Sequence, residues 1–367
     1  MKKHNLHYQI ALTQIDGIGP VHARTILHHF PDLEEFFTEK KLHKRIISGL
    51  SPQRLKSLNR EHALSKAKDQ LEYIEKENVR THCINEEDYP FRLKNCVDAP
   101  TVIYAKGDFN LNPKKVVSVV GTRNITNYGV RLTEKLIEEF SSVNVQVVSG
   151  LAFGVDILAH RSCLKHNIPT VGVLAHGLER LYPIQHRNVA QKMIENNGGL
   201  LTEFLIGTNP DRENFPKRNR IVAGMADATI VIESGEKGGS LITANLANDY
   251  NKDVFAFPGN VDRQFSRGCN KLIASNRAHL VQSAEEIIRL MGWTKNVENE
   301  VVQTDLFEGL GSEEKQIVGF LKEKKTASID QFALSLKKHV SQLNGLLTQL
   351  ELLGIIKAIP GSKYQLC

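Results

Sequence analysis

KVVSVVGTRNITNYGVRLTEKLIEEF, residues 115–140, opens with an apolar run that ends in a glycine. A polar loop follows, and then apolar residues recur at helical spacing. The run is apolar throughout rather than at every second position, which is the pattern of a strand buried on both faces. The same strand recurs as VQVVSG (145–150), TVGVLAHG (170–177), GLLTEF (199–204), ATIVIESG (228–235) and DVFAFPG (253–259). Helical patterns stand between the runs, in DILAHRSCLKHN, RNVAQKMIENN, RNRIVAGMA and SLITANLANDY. Strands alternating with helices form a parallel sheet with right-handed crossovers.

The centre is therefore α/β, a Rossmann-like, doubly wound, mostly parallel sheet. Before the centre, residues 1–84 read as a small all-helical domain, with apolar spacing through YQIALTQIDGIGPVHARTILHHF, LEEFF and LSKAKDQLEYI. Asp16-Gly17-Ile18-Gly19-Pro20-Val21-His22-Ala23 fits a hairpin between two helices, with glycine amides free to meet a phosphate. The Rossmann-like domain is placed at 85–292, its entry interrupted by turns around a short strand, TVIYA. Residues 293–310 read as a linker. Residues 311–367 read as three helices and a terminal hairpin turning at Pro360-Gly361, a winged helix. Its third helix, SQLNGLLTQLELLG, carries no Lys or Arg, whereas a DNA-reading helix brings cations. A protein contact suits it better.

The chain has 367 residues, 41% hydrophobic and 24% charged, with a net charge of +6. Several folded domains fit this composition; gross disorder does not. The mild basicity permits a polyanionic partner without demanding one. Five cysteines are scattered with no CxxC pair, which argues against a disulfide framework or zinc site and for a cytoplasmic setting. The opening MKKHNLHYQIALTQ lacks the apolar core of a signal peptide, and no apolar run approaches the ~18 residues of a membrane span.

In an open parallel sheet, ligands bind beyond the carboxyl ends of the strands. The loops there are GTRNITNYG (121–129), SGLAFGVD (149–156), HGLERLYP (176–183), FLIGTNPDRENFPKRNR (204–220), SGEKGGS (234–240) and PGNVDRQFSRGCN (258–270). Glycine turns and helix starts make anion nests, and arginines add bidentate phosphate contacts. Gly121 and Arg123, Ser149, Gly150 and Gly154, and Gly239 and Ser240 are the candidates from three of these loops; Ser240 also fits a simple helix cap. In Phe215-Pro216-Lys217-Arg218-Asn219-Arg220, three cations crowd a helix start against its dipole, which implies an anion outside. A basic groove with an interleaved aromatic suits single-stranded nucleic acid, with Phe215 as the flat face. The competing reading has these cations bridging to Glu203, Asp211 or Glu213.

No GxxxxGK[ST], GxGxxG or GxSxG occurs, so the nucleotide loop, the dinucleotide fingerprint and the nucleophile elbow are all missing. Asp156 and Glu233 are isolated carboxylates, and His160, His166, His176 and His186 form no metal set. No catalytic residue, cofactor or metal is expected.

YPFRLKNCVDAPTVIYAKGD, VVGTRNITNYG, VVSGLAFGVDILAH, GVLAHGLERLYP, FPKRNRIVAGMADATIVIES, GGSLITANLANDYNKDVFAFPGN and GCNKLIASNRAHLV resemble the DNA processing protein A family, over about residues 85–292. The flanks resemble that family's sterile-alpha-motif-like domain and winged helix. The resemblance implies a cytoplasmic protein that binds single-stranded DNA, protects incoming strands during natural transformation and loads the RecA recombinase. It implies a homodimer, not an enzyme. Carried over by position, the DNA site would comprise Gly121, Arg123, Ser149, Gly150, Gly154, Phe215, Lys217, Arg218, Asn219, Arg220, Gly239 and Ser240, with Asn270 and Lys271 added. The alternative is a small-nucleotide hydrolase of the lysine-decarboxylase-like Rossmann group. There the motif PGGxGTxxE carries a catalytic glutamate, whereas EKGGSLITA (236–244) has Leu241 and Ile242 at the continuation.

Overall fold

The computed structural model describes residues 3–39, 41–42, 47–293, 311–359 and 362–366. The expected linker, apart from Trp293, and the Pro360-Gly361 turn lie outside them. The chain divides into two compact units, 1–296 and 297–367.

The first unit is built on nine strands: β1 (Arg80–Cys83), β2 (Val102–Lys106), β3 (Val116–Val120), β4 (Gln146–Ser149), β5 (Thr170–Val173), β6 (Gly199–Thr202), β7 (Ala228–Val231), β8 (Asp253–Ala256) and β9 (His279–Leu280). They lie in the order β1-β2-β6-β5-β4-β3-β7-β8-β9. From β6 to β9 every pair is parallel. β1–β2 and β2–β6 are antiparallel and close one edge. The sheet is thus mostly parallel and wound in both directions from β3, as the apolar runs imply.

Alternation along β3 shows why the strands lack polar positions. Val116 and Val120 face a core shared with the helices Asn214–Met225 and Gly239–Asp249. Val117 and Val119 face the opposite core, shared with the helices Asn127–Phe140 and Val155–Lys165. Helices cover both faces, so both demand apolar side chains. The one hydroxyl, Ser118, bonds Thr229 Oγ1 on neighbouring β7 at 2.8 Å.

Near the N-terminus, the 13–19 turn joins the helices Lys3–Leu12 and Pro20–His29. Gly17 takes φ +78° there, and the Arg54 guanidinium bonds its carbonyl. One feature of the 1–84 reading is corrected. Arg80–Cys83 is strand β1 of the large sheet, and its Cys83 shares the helices' core with Val102 and Tyr104 of β2. RTHC carries only polar residues and one cysteine, so no apolar run announced it.

The second unit has the helices Ser312–Lys324, Ile329–Leu336 and Val340–Leu352, with strands β10 (Thr326–Ser328), β11 (Ile356–Ile359) and β12 (Lys363–Leu366). The element order is helix–strand–helix–helix–strand–strand. The three strands form one antiparallel sheet, β10-β12-β11. Ser328 caps the second helix in a reciprocal capping box with Gln331.

Candidate functional site

Strand order reverses at β3, with β4 on one side and β7 on the other. That switch point is where an α/β sheet leaves a crevice. Here the loops after β3, β4, β7 and β8 and the start of the helix Asn214–Met225 enclose a groove of about 980 Å³.

Two buried carboxylates shape its rim. Glu233 accepts from the Thr126 amide at 3.0 Å and the Thr126 hydroxyl at 2.6 Å, fixing the loop after β3. Asp156 accepts from the amides of Gly150 (3.1 Å) and Ala152 (3.4 Å), fixing the loop after β4. Burial pushes the Asp156 carboxyl up, against the pull of Arg218 and the two amide bonds. Gly154, at φ +78°, packs so closely on the loop after β3 that a β-carbon would collide with the Thr122 carbonyl. Both carboxylates hold the loops in place.

Of the fourteen expected residues, the groove gathers Gly121, Arg123, Gly150, Phe215, Arg218, Asn219, Gly239 and Ser240. Arg123 is exposed and rests over the half-buried Phe215 ring, 5.2 Å from its centroid. Arg218 forms part of the floor. It is only 4% exposed, and its Nη1 donates to the carbonyls of Gly150 and Val173. Burial lowers its pKa to about 10, so it stays charged at neutral pH.

Ser240 and the remaining expected residues have other partners or positions. Arg220 is not part of the groove lining: its guanidinium pairs with the largely covered Glu203 and bonds the Asp98 carbonyl. The competing reading of internal bridges is right for this residue. Ser149 is fully buried and donates to the Val119 carbonyl at 2.6 Å. Ser240 donates to Ser234 at 2.8 Å, and the helix cap is Gly238. Gly154 acts through loop packing. Lys217 is exposed but lies off the groove lining. Asn270 clamps the Gly259 backbone through both polar atoms, at 3.1 and 2.9 Å. Lys271 opens onto an adjoining cleft of about 410 Å³.

Residues passed over also line the groove, among them Arg212, Lys237, Gln264, Phe265 and Arg267. All lie in loops that the strand ends pointed to, but no local pattern separated them from ordinary loop polarity. The exposed cations at the groove are thus Arg123, Arg212, Lys237 and Arg267. Glu236 opposes Arg267 at 3.9 Å across open solvent, a weak pair. Among the described residues, no group of three or more His, Cys, Asp or Glu could hold a metal. No described helix is long and apolar enough to cross a membrane.

Residues 80–292 match the family described as DNA recombination-mediator protein A. The chain belongs to this family. Among curated members, Protein Smf of Synechocystis sp. is 30% identical over 392 aligned residues, covering 98% of each chain. DNA processing protein DprA of Bacillus subtilis is 38% identical over 212 residues, 58% of this chain and 71% of the relative. The X-ray structure of DNA processing protein A from Streptococcus pneumoniae superposes with a TM-score of 0.63 at 28% identity, covering 77% of this chain and 97% of that one. A structure of DNA processing protein A from Helicobacter pylori, concerned with its single-stranded DNA binding mode, gives 0.53 at 28% identity, over 59% and 97%. The family resemblance read from the loop motifs is confirmed.

Proposed function

We propose that the groove at the strand ends binds single-stranded DNA, and that the protein acts as a recombination mediator in natural transformation. One observation carries this reading: four exposed cations and a half-buried phenylalanine line one groove at the switch point. Arg123, Arg212, Lys237 and Arg267 supply the phosphate contacts. Gly239, where a side chain would stand in open space, lets the backbone come close to the strand. Phe215 and the guanidinium of Arg123 above it offer a composite platform, since bases stack on aromatic rings and on guanidinium planes alike. Arg218 holds the floor in place and adds its charge from beneath.

In this reading the protein is not an enzyme. The buried carboxylates Asp156 and Glu233 bind loop amides and a hydroxyl, which leaves them poorly placed for acid–base work on a ligand. The chain works in the cytoplasm, as a homodimer, protecting single strands and delivering them to the RecA recombinase.

Fluorescence anisotropy with labelled single-stranded and duplex oligonucleotides tests the proposal. Tighter binding of the single strand is expected, with a log–log salt slope of about −0.7 per neutralised phosphate. A strand-exchange assay then tests delivery to RecA. No single-strand binding at low salt would overturn the reading.

A further inference from the structure

The aromatic surface does not end at Phe215. The Tyr182 ring stands 6.2 Å from the Phe215 ring, tilted by 60°. Phe153, from the loop after β4, lines the same small cleft as Tyr182, Phe215 and Arg123. Phe153 is 42% exposed, Tyr182 46%, and Ile184, two residues on, 59%. Large apolar side chains left open beside one another mark a contact surface.

These rings are held from below. The Tyr182 amide donates to His176 Nε2 at 3.1 Å. The Phe153 ring sits edge-on to His186 at 4.8 Å, and His186 Nδ1 bonds the Leu151 carbonyl at 2.8 Å. The bases of both side chains are therefore anchored while their outer faces are free. The cleft between them holds only about 20 Å³, room for about one water. A flat ligand is received on the rings, not inserted between them.

We infer that Phe153 and Tyr182 form a second stacking subsite for bases of a single strand that leaves the cationic groove over Phe215. The inference rests on the single-strand reading above. Arg123 and Phe215 line both the groove and the small cleft, so the aromatic strip continues the cationic path without a break. Alternation of charge and aromatic faces along a groove is how proteins hold single strands without reading their sequence. The tilt between Tyr182 and Phe215 means that bases on the two rings are not parallel, so the strand turns as it passes from one to the other.

The test compares wild-type protein with the double variant Phe153→Leu, Tyr182→Leu, which keeps apolar bulk but removes both π-faces. Anisotropy is measured with short and long labelled single strands over a range of salt. The long strand is expected to lose about tenfold in affinity, and the short strand little. The salt slope is expected to stay unchanged, because no phosphate contact is removed. Should the variant fold poorly, long strands carrying abasic sites outside the groove-bound segment test the same contact on wild-type protein, with the same loss expected. Wild-type binding of long strands that is insensitive to the folded double variant, or to the abasic sites, overturns the subsite alone. Absence of any single-strand binding by the wild type overturns the groove reading and the subsite together.

Discussion

Gly150 lies directly beneath the guanidinium of Arg218, where a β-carbon would stand 2.5 Å from Nη1 and 2.6 Å from Cζ. The glycine carbonyl accepts from Arg218 while its amide donates to Asp156, so one residue ties the groove floor to the loop after β4. Gly150→Ala must push the guanidinium off both of its carbonyl partners or shift the loop. Overpacking of this kind costs about 1–3 kcal/mol. Urea denaturation is expected to show that loss, and anisotropy a weaker single-strand complex in the fraction that remains folded. Unchanged stability would mean the floor yields more easily than its packing implies.

Arg220 and Glu203 make a contrasting pair, because their charge is turned inward. Removing one member of a buried ion pair leaves the other uncompensated, at about 3–5 kcal/mol. Burial already pushes the Glu203 carboxyl up, and Arg220 is what pulls it back. Arg220→Ala is therefore expected to destabilise the domain by about that amount in urea. Single-strand affinity per folded molecule should stay near wild type, since the side chain does not reach the groove. A large loss of affinity without a loss of stability would return Arg220 to the phosphate contacts.

These two arginines show where a linear sequence stops being legible. The strands were readable because a sheet covered on both faces forces unbroken apolar runs, as at Val116–Val120. The strand ends were readable for the same reason, and with them the side on which a ligand binds. What each cation touches was not. Arg220 meets the carbonyl of Asp98, 122 residues away, and Arg218 meets that of Gly150, 68 residues away. In FPKRNR the two look alike; the fold gives one a carboxylate partner and the other a groove floor. Arg212 and Arg267 went unselected for the converse reason, lying in polar loops where only the closing of the groove sets them apart.

His160 gives the fold a built-in acid sensitivity. Thr170 Oγ1 donates to the Val147 carbonyl, so it accepts from Nδ1 of His160 at 2.7 Å. The proton is then on Nδ1, and Nε2 is buried with no partner. Burial first, and then the neighbouring His186 and Arg218, lower the imidazole from 6.5 to about 3. Between those values the unfolded chain binds a proton that the native state refuses, so stability falls as pH falls through this window. From pH 6.5 to about pH 5 the wild type should lose about 2 kcal/mol more than His160→Gln. Denaturant titrations of both proteins at several pH values check this; parallel curves would show the histidine protonated within the fold.

Arg212 and Lys237 separate contact from mere proximity. Both are exposed on the groove lining, while Lys217, also exposed and close in sequence to Arg212, is off it. A phosphate contact releases counterions, so Arg212→Ala and Lys237→Ala should each make the log–log salt slope shallower by about 0.7. Because phosphates carry no sequence, the weakening should be uniform across oligonucleotides of different composition. Lys217→Ala should leave the slope alone, its charge acting only at a distance that salt screens. The comparison is decisive because all three changes remove one positive charge. If the groove were incidental and net charge governed binding, the three slopes would shift together; if the strand lies in the groove, only the two lining residues will move them.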